Sequence, residues 1–449
     1  MKQQTALDIL KLGYNIFLTG PAGSGKTFLL NRYIRYLKSK NIGVAMTAST
    51  GIAATHLNGL TIHSWSGLGI KDTLTDKDLA KLRRKFYYRK RFARTKVLII
   101  DEISMLHAHQ LDIVNRICKS FKQPLLPFGG LQVILCGDFF QLPPVTKENT
   151  KAKFVTESFS WQEMRPKICY LDEQYRQKDN EMTKILNAIR ENEVNERIFD
   201  LILARENKNI ATTSIKPTRL YTHNANVDAI NNLELQKIKE KSIAYQMYAK
   251  GNKKLIEVLK KSCLAPERLI LKKGAMVMFV KNNFDRGYVN GTLGRVTGFD
   301  ENKLPIVKAF SGKIIIASPE TWAIEDNDEV LASVSQIPLR FAWAITVHKS
   351  QGMTLDAAEI DLSKSFEFGM GYVALSRVRT LKGIKLLGIN EIALEVNPEI
   401  YELDKELQKI SRDNAKEISK MGWLEKRKRQ KKFVKKFNFY NNESNREKF

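Results

Sequence analysis

Short apolar runs alternate with segments of helical spacing over the first 175 residues or so. The runs are 15–19 (NIFLT), 43–47 (GVAMT), 96–100 (KVLII) and 132–136 (QVILC). A run that is apolar throughout predicts a strand buried on both faces. Between the first two runs, 28–38 (FLLNRYIRYLK) carries its apolar residues at helical spacing. Such alternation predicts an α/β domain, a parallel sheet with helices on both faces. The pattern breaks between Gly67 and Thr95, which predicts an inserted element. A second α/β unit is expected from near Tyr175, with strands at 218–221 (TRLY) and 385–388 (KLLG). Residues 275–299 carry β-structure signals, and Asn290-Gly291 reads as a hairpin turn. They predict a small β-barrel inserted at about 285–335. Beyond about 400 the chain becomes helical and charged. The expected organisation is thus 1–175 with an insertion at about 67–95, then 176–400 with the barrel, then a basic helical tail at 401–449.

Composition adds a partner. The chain has 449 residues, 74 of them Lys or Arg and 48 Asp or Glu, a net charge of +26. That balance points to a polyanion, with nucleic acid as the leading candidate. Residues 81–96 hold nine basic residues and no acid, with Phe86, Tyr87, Tyr88 and Phe92 interleaved. The segment reads either as a face for nucleic acid or as a solvated basic helix. The run 426–436 (KRKRQKKFVKK) reads as a nucleic-acid arm or as disordered chain. Four cysteines without a C-x-x-C pair look like reduced thiols. The histidines do not cluster beyond His107 and His109, so no metal other than Mg²⁺ is expected. No run approaches the 18 apolar residues of a membrane span, and no membrane partner is expected.

The chemistry is carried by residues 20–27, Gly-Pro-Ala-Gly-Ser-Gly-Lys-Thr, which match the phosphate-loop pattern between a strand and a helix. In that pattern Gly20, Ala22, Gly23, Ser24 and Gly25 bring backbone N–H groups to phosphate. Lys26 reaches the β- and γ-phosphates and Thr27 ligates Mg²⁺. ATP and Mg²⁺ are the expected cofactors. Asp101-Glu102 follows the run KVLII, at the strand end where parallel sheets bind ligands. Asp101 is the candidate Mg²⁺ ligand and Glu102 the candidate base. Gln141, in 137–145 (GDFFQLPPV), is a γ-phosphate sensor or an ordinary turn residue.

The run 127–132 (PFGGLQ) followed by GDFFQLPPV resembles the signature region of Pif-type DNA helicases of superfamily one, close to the RecD-like helicases. The resemblance spans about residues 3–390, with its motifs in order. It implies two RecA-like parallel-sheet domains in tandem, with a wedge element at 67–95 and a barrel of Src-homology-three type. It also implies an ATP-driven 5′→3′ helicase. Gln3 takes the place of the adenine-reading glutamine, with Gln4 as its alternative. Gly352 lies near the nucleotide. Arg176, in 171–177 (LDEQYRQ), and Arg377, in 372–379 (YVALSRVR), take the places of two arginine fingers. Thr47, Ser49, Thr50, Thr61, His63, His348, Lys349 and Ser350 fall in segments that touch single-stranded DNA. His63, Trp65, His348 and Phe284 are candidates for base stacking, with core burial the alternative for Trp65 and Phe284. Implied partners are single-stranded DNA, forked duplex, RNA–DNA hybrid and G-quadruplex. The short N-terminus suggests a compact bacterial form. A monomer is expected, in the cytoplasm and associated with the nucleoid. Two other readings stand beside the helicase: a RecD-like motor subunit, and an ATP-switched strand-binding protein.

Overall fold

The computed structural model describes residues 1–443 apart from 70, 145–151, 176–178, 209, 211–216, 222–226, 284 and 327–328. Arg176 and Phe284 therefore lie outside the described residues.

The first unit is a six-stranded parallel sheet. Its strands are β1 (Ile16–Thr19), β2 (Val44–Ala48), β3 (Leu60–Thr61), β4 (Val97–Asp101), β5 (Gln132–Cys136) and β6 (Lys167–Tyr170), in the order β3-β2-β4-β5-β1-β6. Side chains alternate between faces along a strand, so wholly apolar runs feed two cores. Phe17, Leu98, Ile100, Val133 and Leu135 enter one cluster. Ile16, Leu18, Val97, Ile99 and Ile134 enter the other, beneath the helices Gln3–Lys11 and Lys26–Ser39.

The insertion is a helical pair, Asp76–Arg84 and Phe86–Arg94. Thr75 starts it with a capping box, in which its side chain and that of Asp78 satisfy each other's backbone N–H. Not all of its basic residues face solvent. Arg91 is buried, donates to Trp65 O at 2.8 Å and lies over the Tyr87 ring. Trp65 is 2% exposed and packs on Phe92, which makes it a core residue and not a stacking platform for bases.

The second unit holds a four-stranded parallel sheet, ordered Ala344–Thr346, Thr218–Tyr221, Ala358–Leu362 and Ile384–Ile389. The inserted β-structure is wider than 285–335. It runs from Ser242–Gln246 to Leu339–Phe341 as sheets of five, three and two strands. Residues 288–292 form no strand. Asn290-Gly291 occupies the centre of a turn closed by Thr292 N–H to Val289 O at 2.9 Å, with Gly291 at φ +94°. The turn does not join two adjacent strands. Met276–Phe279 pairs with Leu293–Phe299 across a longer loop.

The C-terminal segment is helical and returns to the first unit. Helix Pro398–Lys420 covers β6, where Asn414 donates to Ile168 O and Tyr170 N–H donates to Ser411 Oγ. Helix Trp423–Glu443 follows and buries Phe433 and Phe437 beside the N-terminal helix. Residues 426–436 are thus neither disordered nor a free arm. Among the described residues, no helix is long and apolar enough to cross a membrane.

Candidate nucleotide cleft between two domains

The loop after β1 is shaped by glycines. Gly20 has φ +139°, and a Cβ there would come within 2.3 Å of Leu171 O. Gly25, at φ +82°, ends the loop, and helix Lys26–Ser39 begins directly after it. The Lys26 ammonium donates to Gly20 O at 2.8 Å and Pro21 O at 3.0 Å. Gln3 is buried and donates to Ser24 O at 3.2 Å, so its amide braces the loop. Gln4 is exposed and bonded to Asp8 and Arg32.

The carboxylates stand where β4 ends. Asp101 Oδ1 accepts the Glu102 N–H at 2.9 Å. Glu102 holds a left-handed backbone, φ +51°, unusual for a residue with a Cβ and typical of strained functional turns. Burial, then the Asp101 charge, pushes its carboxyl up to about 7, against the pull of Lys26 and Arg377. Burial likewise raises Asp101. Ser49 ties the next strand end to this turn, donating to Glu102 O at 2.6 Å.

The second domain completes the cleft. A cavity of about 460 Å³ is lined by Ala22, Gly23, Gly25, Lys26, Thr27, Asp101, Glu102 and Gln141 from one side. Gly352, Arg377 and Arg379 line it from the other. Gln351 Nε2 reaches Glu102 Oε2 at 3.4 Å. Arg377 is 1% exposed and held by Val373 O and Ser376 Oγ. Burial lowers its guanidinium pKa, and the charge of Glu102 opposes that. His56 Nε2 meets Asn290 Nδ2 at 3.2 Å across the same seam, with Gly352 against its ring. Ser24 Oγ is buried without a partner in this loop. The donors and carboxylates present suit a triphosphate with its Mg²⁺.

One cluster went unread in the sequence. Arg190 Nη1 donates to both oxygens of Asp138, at 2.8 and 2.9 Å, and to Tyr372 OH at 3.1 Å. Its Nη2 donates to Tyr170 OH at 2.9 Å and to Asp404 at 3.2 Å. Tyr372 OH in turn accepts the phosphate-loop N–H of Ala22 at 3.0 Å. Burial alone would raise Asp138, but the Arg190 charge holds it below its usual range. Gln141 donates to the same carboxylate at 3.4 Å while lining the cleft. The hub therefore joins the loop, both domains and the C-terminal helix. Its signal was an arginine on an apolar helical stripe, after Met182, Leu186 and Ile189.

The strand-facing residues divide. Thr50 and Thr61 cap short helices, accepting from Ala53 N and Ser64 N. His63 is half-buried, Lys349 partly exposed and His348 exposed. Two expected contacts turn inward instead. Thr47 is fully buried and donates to Ile99 O, because its strand is covered on both faces. Ser350 is fully buried and donates to Val347 O, closing its own turn.

Known proteins are similar to this chain in sequence and fold. Residues 2–214 match the family described as PIF1-like helicase, and 254–299 match the DNA helicase Pif1, 2B domain. An ATP-dependent DNA helicase Pif1 of Psychrobacter sp. is 48% identical over 92% of this chain and 71% of its own length. The crystal structure of Bacteroides sp. Pif1 with ADP-AlF4 superposes with a TM-score of 0.78 at 32% identity, over 91% of this chain and 96% of that one. Bacteroides Pif1 bound to ssDNA gives 0.61 at 32% identity, over 92% and 97%. The chain belongs to the PIF1-like helicase family.

Proposed function

We propose that this chain moves 5′→3′ along single-stranded DNA and separates the duplex ahead of it, driven by closure of its interdomain cleft on ATP. It is an ATP-dependent DNA helicase, and therefore an ATP hydrolase, by the family it belongs to. The observation that carries the mechanism is the cleft itself, with Lys26, Thr27, Asp101 and Glu102 facing Gly352 and Arg377.

Phosphoryl transfer is catalysed mainly by positioning and by stabilising charge. In this reading the loop N–H groups and Lys26 bind the phosphates. Thr27 and Asp101 would hold Mg²⁺, whose charge would offset that of the phosphate oxygens. Glu102, kept basic enough by burial beside Asp101, orients and deprotonates the attacking water. Arg377 meets the γ-phosphate from the second domain and helps to neutralise its charge. Gln141 couples the phosphate to Asp138, and so to the Arg190 hub. Loss of the γ-phosphate removes the charge that holds Arg377, and the domains part. Each cycle moves the two strand-binding surfaces relative to each other. Thr50, Thr61 and His63 belong to the first surface, and His348 and Lys349 to the second.

Both halves of the site come from one chain, so a monomer suffices. Forked duplex is the primary substrate in this reading. RNA–DNA hybrids and G-quadruplexes are further substrates, because a motor that grips phosphate does not depend on what it displaces. Chromosomal DNA would place it at the nucleoid. The test is strand separation with Mg·ATP on duplexes carrying either a 5′ or a 3′ single-stranded tail. Unwinding of the 5′-tailed duplex alone, lost in Lys26→Ala, is expected. Unwinding from the 3′ tail would overturn the direction.

A further inference from the structure

Helix Trp423–Glu443 straps the amino-terminal edge of the first sheet, opposite the nucleotide cleft. The preceding helix, Pro398–Lys420, ends beside β6, where Lys167 pairs with Glu417 at 2.5 Å, and the strap begins three residues later. Arg429 then donates to Tyr14 OH at 2.5 Å, just before β1. Phe433 lies over Gly13, where a Cβ would come within 2.3 Å of its ring. Lys436 arrives beside Lys122, near Lys96 at the start of β4. The helix thus crosses the sheet edge from β6 past β1 towards β4, the strand that follows the inserted helical pair.

The charge continues from there. Ser120 and Phe121, next to Lys122, line an open cavity of about 570 Å³ together with Arg83, Arg84 and Arg89 of the insertion. Phe121 stacks on Phe92 of that insertion at 4.4 Å, which fixes the two surfaces side by side. Between 423 and 437 the strap carries eight Lys or Arg against one Glu. Burial, then the charges of Lys96 and Lys436, holds the Lys122 ammonium down to about 8. Like charges gathered this closely are relieved by an anion.

We propose that the strap and the arginines of the inserted pair form one continuous phosphate-binding surface for duplex DNA. Two observations favour duplex over single strand. The strand-facing residues Thr50, Thr61 and His63 lie beyond the carboxyl ends of β2 and β3, while the strap lies at the amino ends, about 15–17 Å away along a five-residue strand. The strap is about 30 Å long at 1.5 Å per residue, close to one turn of duplex.

The surface rests on the reading of this chain as a DNA motor, and its test separates the two. Affinity for a blunt duplex and for a single strand of equal phosphate count is measured across a salt series, with single-strand-stimulated ATP turnover alongside. The variant Lys428→Glu/Lys432→Glu/Lys435→Glu changes only exposed residues and keeps both docking phenylalanines. Its duplex salt slope should become shallower by about 2–3, at roughly 0.9 per phosphate contact, with stimulated turnover unchanged. Arg83→Glu/Arg84→Glu should flatten the duplex slope as well. An unchanged duplex slope in both variants overturns the surface. So does an equal loss of single-strand affinity, which would assign these cations to the motor's own track. Absence of strand-stimulated turnover in the unaltered protein would sink the motor reading instead, and the duplex slopes would still report on the surface.

Discussion

At the carboxyl ends of the first sheet's strands, Asp138 and the Arg190 that grips it are 1% and 5% exposed. At the amino ends of the same strands, Lys428, Lys432 and Lys435 stand in solvent with no carboxylate partner among the described residues. Parallel strands all point one way, so ligands gather beyond their carboxyl ends, where loops and a second domain can enclose them. Enclosure makes each charge there costly unless it is partnered, and strong once it is. The opposite edge keeps its charges hydrated, screened by salt within about 10 Å, and individually weak. The lesson is that +26 net charge is not one property. The buried charges come partnered, while the exposed ones stay hydrated and, in the proposed reading, set affinity.

The largest effects should fall in the cleft. Glu102→Gln should lower ATP turnover by about 10²–10⁴, the range for a positioned base, while leaving ATP binding intact. Rapid-quench measurement of hydrolysis beside nucleotide-binding titration reads both. Near-normal turnover would show that the buried carboxylate is not the base.

Next comes the hub. Arg190→Met leaves Asp138 buried without its cation and should cost about 3–5 kcal/mol of stability. The double variant Asp138→Asn/Arg190→Met should recover part of that loss, since the more deeply buried of Arg190's two carboxylate partners is then no longer stranded. Denaturant melts of the three proteins decide it. Equal stability of the two variants would mean that the ion pair is not what matters.

The smallest of these effects concerns the seam. Burial pushes His56 down to about 4 from 6.5. Its folded pKa lies below the unfolded one, so above pH 6.5 both states are neutral and nothing is lost. As pH falls from 6.5 towards 4, the unfolded chain takes up a proton that the folded one refuses, and stability declines. Thermal melts of His56→Gln should show a shallower decline over that window than the unaltered protein. An identical pH dependence would place the sensitivity elsewhere.

What was legible in the sequence follows the same division. The phosphate loop is contiguous, so residues 20–27 declare themselves. Four of the first sheet's six strands are local apolar runs, readable to within a residue, whereas Leu60–Thr61 and Lys167–Tyr170 went unread. Arg190 meets partners as far away as Asp138 and Asp404, and no local pattern reports such a meeting. Its position on an apolar stripe was the only trace. Thr47 and Ser350 have the polarity of DNA contacts, but their hydroxyls satisfy neighbouring carbonyls, which depends on strand coverage and turn geometry. The inserted β-structure exceeds 285–335 because Tyr248–Gly251 pairs with Glu329–Gln336 across some eighty residues of sequence. Phe433 and Phe437, four apart among lysines, were the sign that the tail docks.

In the proposed reading the two domains form one catalytic unit, and Arg377 is the sharpest probe of it because it lies far along the chain from the phosphate loop. Single-strand-stimulated ATP hydrolysis should be measured for the unaltered protein and for Arg377→Ala, with ATP affinity determined separately. Strong stimulation is expected in the first. In the variant, turnover should fall by about 10³ or more while ATP affinity changes far less, as for an arginine that stabilises transition-state charge. Normal stimulated turnover in Arg377→Ala would contradict it.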